Sequence, residues 1–248
     1  MPSPSFRGTT PRHDSSAREL TVRLIGECAL FRGLPDQARL EAAAGARTRD
    51  AEKGEILFCE GEPVREFGVL ARGRVKLSRV AAGGSAALVQ LIDPAEVCDW
   101  PGMLTDELHP STAVAAVPSR VVVWEKPFLT ELFDRHPVLY RNALRILAGR
   151  QRELAERYRE LSALRVPQRL ARALLRLASP SGRWLDDGGL SEIPLSLKDL
   201  AQLAGTTLFT VSRILSAWDG DGIIETRRAC VRIEKPDSLA VIGGLPVP

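Results

Sequence analysis

The spacing of apolar residues divides the chain into a helical opening, a strand-rich middle, one long helix and a mixed end. Arg23 to Leu34 reads as a short helix ending in "FRGLP", and Pro35 restarts a helical stretch to about Gly45. The period then changes. From Lys53 onward, short apolar runs lie between glycines at 54, 61, 68 and 73 and the Gly83–Gly84 pair, which is the punctuation of strands and turns. "ILF", "FGVL", "RVKLSRV", "AALVQLI", "STAVAAV" and "RVVVWE" are the strand candidates, and "AAGG" reads as a hairpin tip. A jelly roll or small barrel accommodates them.

After the His136–Pro137 pair the period becomes helical for roughly 28 residues, up to Pro167. Leu147, Leu154 and Leu161 recur every seven residues, with Leu144, Gln151 and Tyr158 three before each. Such an a/d seam either packs on its own domain or, being regular over three heptads, against its twin in a homodimer. The dimer is the expectation, with Gln151 setting register at some cost in stability.

Beyond Pro167, "QRLARALLRLAS" reads as another helix and "PSGRWLDDGG" as a loop. In "LSLKDLAQLAGTTLFTVSRIL", Ser196 or its neighbour caps a helix running through Leu203, and Gly205 makes the tight turn. Thr206 or Thr207 then caps a second helix running through Trp218. "IIETRRACVRI" alternates around a turn, as a two-stranded wing requires. This is helix-turn-helix punctuation. The first turn of the second helix, with Thr206, Thr207, Leu208, Phe209, Thr210, Ser212 and Arg213, is placed to enter a major groove, and Arg227, Arg228 and Arg232 fall on the wing. The plainer alternative is an ordinary helical hairpin.

Charge narrows this picture without deciding it. The chain has 248 residues, with 34 Lys plus Arg against 31 Asp plus Glu, so any basic surface is local. Residues 166 to 248 hold ten basic and nine acidic side chains, which predicts few phosphate contacts and a moderate salt dependence of DNA binding. Cys28, Cys59, Cys98 and Cys230 form no CxxC pair, an arrangement that argues against structural zinc or a disulfide framework and for reduced, mostly buried thiols. The three histidines are far apart in sequence, and no nucleophile–base pairing stands out, so an enzyme is not expected. No apolar run approaches the ~18 residues that span a bilayer, and the Pro/Ser/Thr-rich start lacks a signal-peptide core. A cytoplasmic protein is the expectation.

Taken together, a glycine-punctuated β-roll, a seam helix and "LSLKDLAQLAGTTLFTVSRIL" resemble the Crp/Fnr family of bacterial transcription regulators over roughly residues 25 to 240. The resemblance implies an α+β chain. Its parts would be a flexible tail (1–22), a jelly-roll-like β-roll sensor domain (23–136), a dimerisation helix (137–166) and a winged helix-turn-helix DNA-binding domain (167–248). It further implies a homodimer on a palindromic operator in double-stranded DNA, with RNA polymerase as a partner if the protein activates.

Departures from the family pattern carry their own implications. Asp99 and Trp100 stand where cyclic-nucleotide-binding members place a Gly-Glu pair, and Pro110 or Ser111, next to Thr112, where they place the phosphate-binding arginine. Losing that bidentate, charge-assisted contact argues against cyclic AMP. Leu154 and Ala155 replace hydroxyls that cyclic AMP-binding members offer from the long helix. "HPSTAVAA" is similar to the Fnr branch, yet a four-thiolate iron–sulfur cluster cannot be built from these cysteines. Cys98 falls near the thiolate ligand of the carbon monoxide-sensing haem member. The resemblance thus leaves a haem-based gas sensor open, with His109, the N-terminus or a partner-chain group opposite Cys98, beside the plainer readings of a buried strand thiol or a redox-reactive one. Phe209 occupies the place of a cytosine-reading glutamate, and neither it nor Leu208 can hydrogen-bond a base, although either can meet a thymine methyl. That apolar pair also keeps open a sensor module acting through protein–protein contacts.

Overall fold

A computed structural model of the chain describes residues 15–80, 86–98, 108–178, 192–193, 195–227 and 230–246. The hairpin tip predicted at 81–84 and the loop predicted at 180–189 lie outside the described residues. Helix α1 (Ser15–Glu27) and a 3-10 turn (Ala29–Phe31) lead into α2 (Asp36–Ala44). The first helix therefore begins inside the stretch that composition assigns to a tail, and its Thr21, Leu24 and Ile25 are buried.

Seven strands follow: β1 (Arg47–Ala51), β2 (Ile56–Phe58), β3 (Glu66–Arg72), β4 (Val75–Val80), β5 (Ala86–Ile92), β6 (Thr112–Ala115) and β7 (Ser119–Glu125). They form two antiparallel sheets, one in the order β1-β7-β3 and the other β2-β6-β4-β5. Period-2 alternation divides the first sheet between two cores. Val121 and Val123 of β7 and Leu70 of β3 face the second sheet, with Leu57, Val75, Leu77, Ile92 and Ala113. Val122 and Trp124 of β7, with Phe67 and Val69 of β3, face the helices instead. A strand buried on both faces has to be an unbroken apolar run, which is why "VVVW" shows no alternation in polarity. Trp124 satisfies its buried indole by donating to the Ala42 carbonyl at 2.7 Å.

Helices α3 (Lys126–Arg135) and α4 (Val138–Ala163) continue the chain. The start of α4 completes the helical cover of the first sheet, with Leu139 and Ala143 fully buried. Asn142, also buried, donates to the carbonyls of Leu30 and Arg32 at 2.8 and 2.7 Å. After Leu164 leaves helical geometry, α5 (Val166–Ala178) opens the second domain. It is followed by β8 (Glu192–Ile193), α6 (Leu197–Leu203), α7 (Leu208–Gly220), β9 (Ile224–Arg227), β10 (Cys230–Ile233) and α8 (Pro236–Gly243). The three strands form an antiparallel sheet in the order β8-β10-β9. Leu170, Leu174, Leu200, Val211, Leu215, Trp218 and Val231 fill the core that these elements share.

Candidate nucleic-acid interface

Local chemistry fixes the angle between α6 and α7. Ser196 and Asp199 make a reciprocal capping box, in which the Ser196 hydroxyl accepts from the Asp199 backbone N–H and the Asp199 carboxylate accepts from that of Ser196. The turn that follows needs Gly205, because its φ is +60° and a β-carbon there would lie 2.4 Å from a methyl carbon of Leu161. Thr207 caps α7, its hydroxyl accepting from the Thr210 N–H at 3.2 Å and lying 2.9 Å from the Thr210 hydroxyl. Val211, Ile214, Leu215 and Trp218 bury the inner face of α7.

The outer face is the candidate reading surface. Thr206 is half-buried, and Thr207 and Thr210 are engaged in the cap. Leu208 and Phe209 are exposed, at 52% and 78%, and Arg213 is exposed one turn beyond Phe209, with Ser212 beside it. Among the described residues no carboxylate lies within ion-pairing distance of Arg213. The wing differs. Arg227 is held by Glu225 through bonds of 3.0 and 2.9 Å, and Arg232 lies 3.7 Å from Glu225 and 3.4 Å from Glu234. Arg227 and Arg232 are thus already paired with carboxylates within the chain, a pairing that their spacing did not reveal. Arg228 lies outside the described residues.

The seam residues stand as follows on the single chain. Leu144, Gln151, Leu154, Tyr158 and Leu161 are exposed, Tyr158 at 74% and Leu144 at 66%. Leu147 instead packs against the core of its own domain. At its far end α4 is tied to the second domain: buried Glu160 pairs with Arg176 at 2.7 Å and lies 3.5 Å from Arg172. Arg169 donates to the carbonyls of Leu164, Ala204 and Gly205, which fixes the end of α4 to the helix-turn-helix. The β-roll reaches the same place. Lys76 of β4 pairs with Asp199 at 3.2 Å, the Leu88 N–H of β5 donates to the Gln202 side chain at 2.8 Å, and Leu91 joins the second domain's core.

Of the residues named for a signal site, Asp99 and Trp100 lie outside the described residues. Ser111 is buried, and the Thr112 hydroxyl accepts from the Glu60 N–H at 3.0 Å. Cys98 is packed in the apolar core between the sheets, its N–H donating to Gly68 at 2.9 Å. His109, named with the N-terminus and a partner-chain group as an alternative opposite Cys98, is buried and stacked on Phe58 at 4.0 Å, its backbone bonded to Gly61 and Glu62. These are the positions of packed core residues. Burial also pushes the Cys28 thiol up to about 11, away from a reactive thiolate. Among the described residues no group of His, Cys, Asp and Glu is arranged to hold a metal ion, and no helix is long and apolar enough to cross a membrane.

Comparison with known proteins agrees with both halves of this geometry. Residues 168–242 match the family of Crp-like helix-turn-helix domains, and residues 48–136 match that of cyclic nucleotide-binding domains. The chain is 26% identical over 219 residues to the CRP-like cAMP-activated global transcriptional regulator of Mycobacterium tuberculosis, covering 88% of this chain and 97% of that one. It is 28% identical over 200 residues to the transcriptional activator protein FnrA of Stutzerimonas stutzeri, covering 80% and 81%. Among solved structures it is similar to one described as a cyclic nucleotide binding protein of Ruegeria pomeroyi, with a TM-score of 0.66 at 26% identity, covering 93% of this chain and 100% of that one. With both domains matched in this order and the relatives themselves transcription regulators, the chain belongs to the Crp/Fnr family of transcription regulators.

Proposed function

We propose that the protein acts as a homodimer that binds a palindromic DNA operator, inserting the first turn of α7 into successive major grooves. The observation that carries this reading is the outer face of α7. A capped helix end stands clear of its domain with an exposed arginine that has no carboxylate partner among the described residues. Arg213 contacts guanine or a phosphate, and exposed Lys198 on α6 adds a phosphate contact. The seam of α4 joins the two protomers, because Leu144, Leu154 and Tyr158 form a line of large apolar side chains without cover on the single chain. The protein works in the cytoplasm, and as an activator it would contact RNA polymerase.

The signal received by the β-roll is other than cyclic AMP. Pro110 and buried Ser111 stand where the resemblance places the phosphate-binding arginine, and neither supplies a cation. Whatever the signal, the contacts of Lys76 and Leu88 with α6 give the β-roll a direct hold on the reading unit. The test is a selection from random duplexes, followed by band shifts with Arg213→Ala. A bidentate contact to guanine predicts a loss of about 1–3 kcal/mol in specific affinity and relaxed preference at one position per half-site. Unchanged affinity and sequence would remove α7 as the reading surface.

A further inference from the structure

Resting on the DNA-binding reading above, we infer that Phe209 is a specificity residue that recognises the 5-methyl group of a thymine in each half-site. Leu208 and Phe209 are the first two residues of α7, and neither belongs to any buried cluster. At 78% exposure Phe209 is not packed into the scaffold formed by the described residues of the wing and the helices behind it. It also has no role in capping, which Thr207 and Thr210 perform between them. Its place relative to Arg213 is fixed by the helix. Four residues put the two side chains on one face, about 6 Å apart along the axis. Base pairs rise about 3.4 Å each, so the ring meets the groove within two base pairs of the arginine's contact.

The chemistry at that place is restrictive. Base edges in the major groove present hydrogen-bond donors and acceptors, and one apolar group, the thymine methyl. A phenyl ring against a donor or acceptor would strip water from it and return nothing, which penalises guanine, cytosine and adenine edges. Against a methyl it removes apolar surface from water on both sides. The same residue thus selects for thymine and against the alternatives. Leu208, half exposed beside it, widens the apolar surface without adding a polar reader.

Deoxyuridine isolates this contact, because it keeps every hydrogen-bonding atom of thymine and lacks only the methyl. In the operator recovered by selection, each thymine is replaced in turn by deoxyuridine, and affinity is measured for the wild type and Phe209→Ala. One position within two base pairs of the Arg213-dependent one should cost the wild type about fourfold per half-site, the worth of one buried methyl. Phe209→Ala should bind the thymine and deoxyuridine duplexes alike, with an unchanged thermal midpoint because the side chain is exposed. Phe209→Glu should shift that position towards cytosine. Wild-type binding that no deoxyuridine weakens, or a sensitive position that stays sensitive in Phe209→Ala, overturns this inference and leaves DNA binding standing. Recovery of no duplex at all overturns both.

Discussion

The first half of α4 is held inside its own domain: Leu139 and Ala143 are fully buried, Asn142 donates to two loop carbonyls, and Arg150 donates to the Val97 carbonyl at 3.0 Å. In the second half the leucines and the tyrosine of the same heptad pattern are exposed, and the one buried residue is a charged one, Glu160. Heptad spacing therefore describes two different things within one helix. In the first half the pattern is divided, with Leu147 packed against the core and Leu144 exposed, whereas beyond Gln151 all of its apolar members are exposed on the single chain. The helix is held by the β-roll at one end and by the helix-turn-helix domain at the other.

The largest effect that separates the halves is on assembly. Leu154→Asp with Tyr158→Asp places like charges in the proposed seam without touching the chain's own core, so sedimentation should report folded monomers and half-site affinity alone. A surviving dimer would mean that the exposed half is not the seam. Next in size is a matched pair of truncations. Leu139→Ala should lower the free energy of unfolding by about 2–5 kcal/mol, because its cavity is fully enclosed, as denaturant titration would show. Leu144→Ala, on an exposed side chain five residues later, should leave the monomeric seam variant within about 0.5 kcal/mol. Equal losses would erase the contrast between packed and open faces.

Smaller again is the effect of Glu160→Gln. It removes the buried partner of Arg172 and Arg176, and because Arg176 is a third exposed and can rehydrate, the cost should be about 2–3 kcal/mol rather than the ~5 kcal/mol of a fully enclosed pair. Its local signature is faster protease cutting near Leu164, where the helix ends. Unaltered cutting would show that the Arg169 bonds alone hold the joint.

Strands β2 to β7 of the roll, the Ser196 and Thr207 caps and the Gly205 turn were legible in sequence, because each rests on local chemistry: short apolar runs between turns, a side-chain oxygen or a positive φ. What escaped was set by distant partners. Strand β1, "RTRDA", has no apolar pattern because most of its side chains face water, and it is recognisable only by its pairing with β7. Helix α3 was hidden behind the last strand, β8 is two residues long, and α8 packs on α5 from far along the chain. At the candidate site the exposed first turn of α7 stands where the sequence put it. The neutralisation of Arg227 and Arg232 by Glu225 and Glu234 was not visible, since strand register decides which charges meet. Leu147, which the period places in the seam, is also partly buried against the core of its own domain, a contact that the period does not reveal.

The central claim is a two-fold symmetric reader of DNA with Arg213 in each reading helix. The most direct test is hydroxyl-radical footprinting of the wild type on the selected operator, alongside Arg213→Ala. The account predicts two protected half-sites related by inversion, centred about one helical turn (10–10.5 base pairs) apart, both fading together in the variant. A single asymmetric footprint, or one that Arg213→Ala leaves intact, would contradict it.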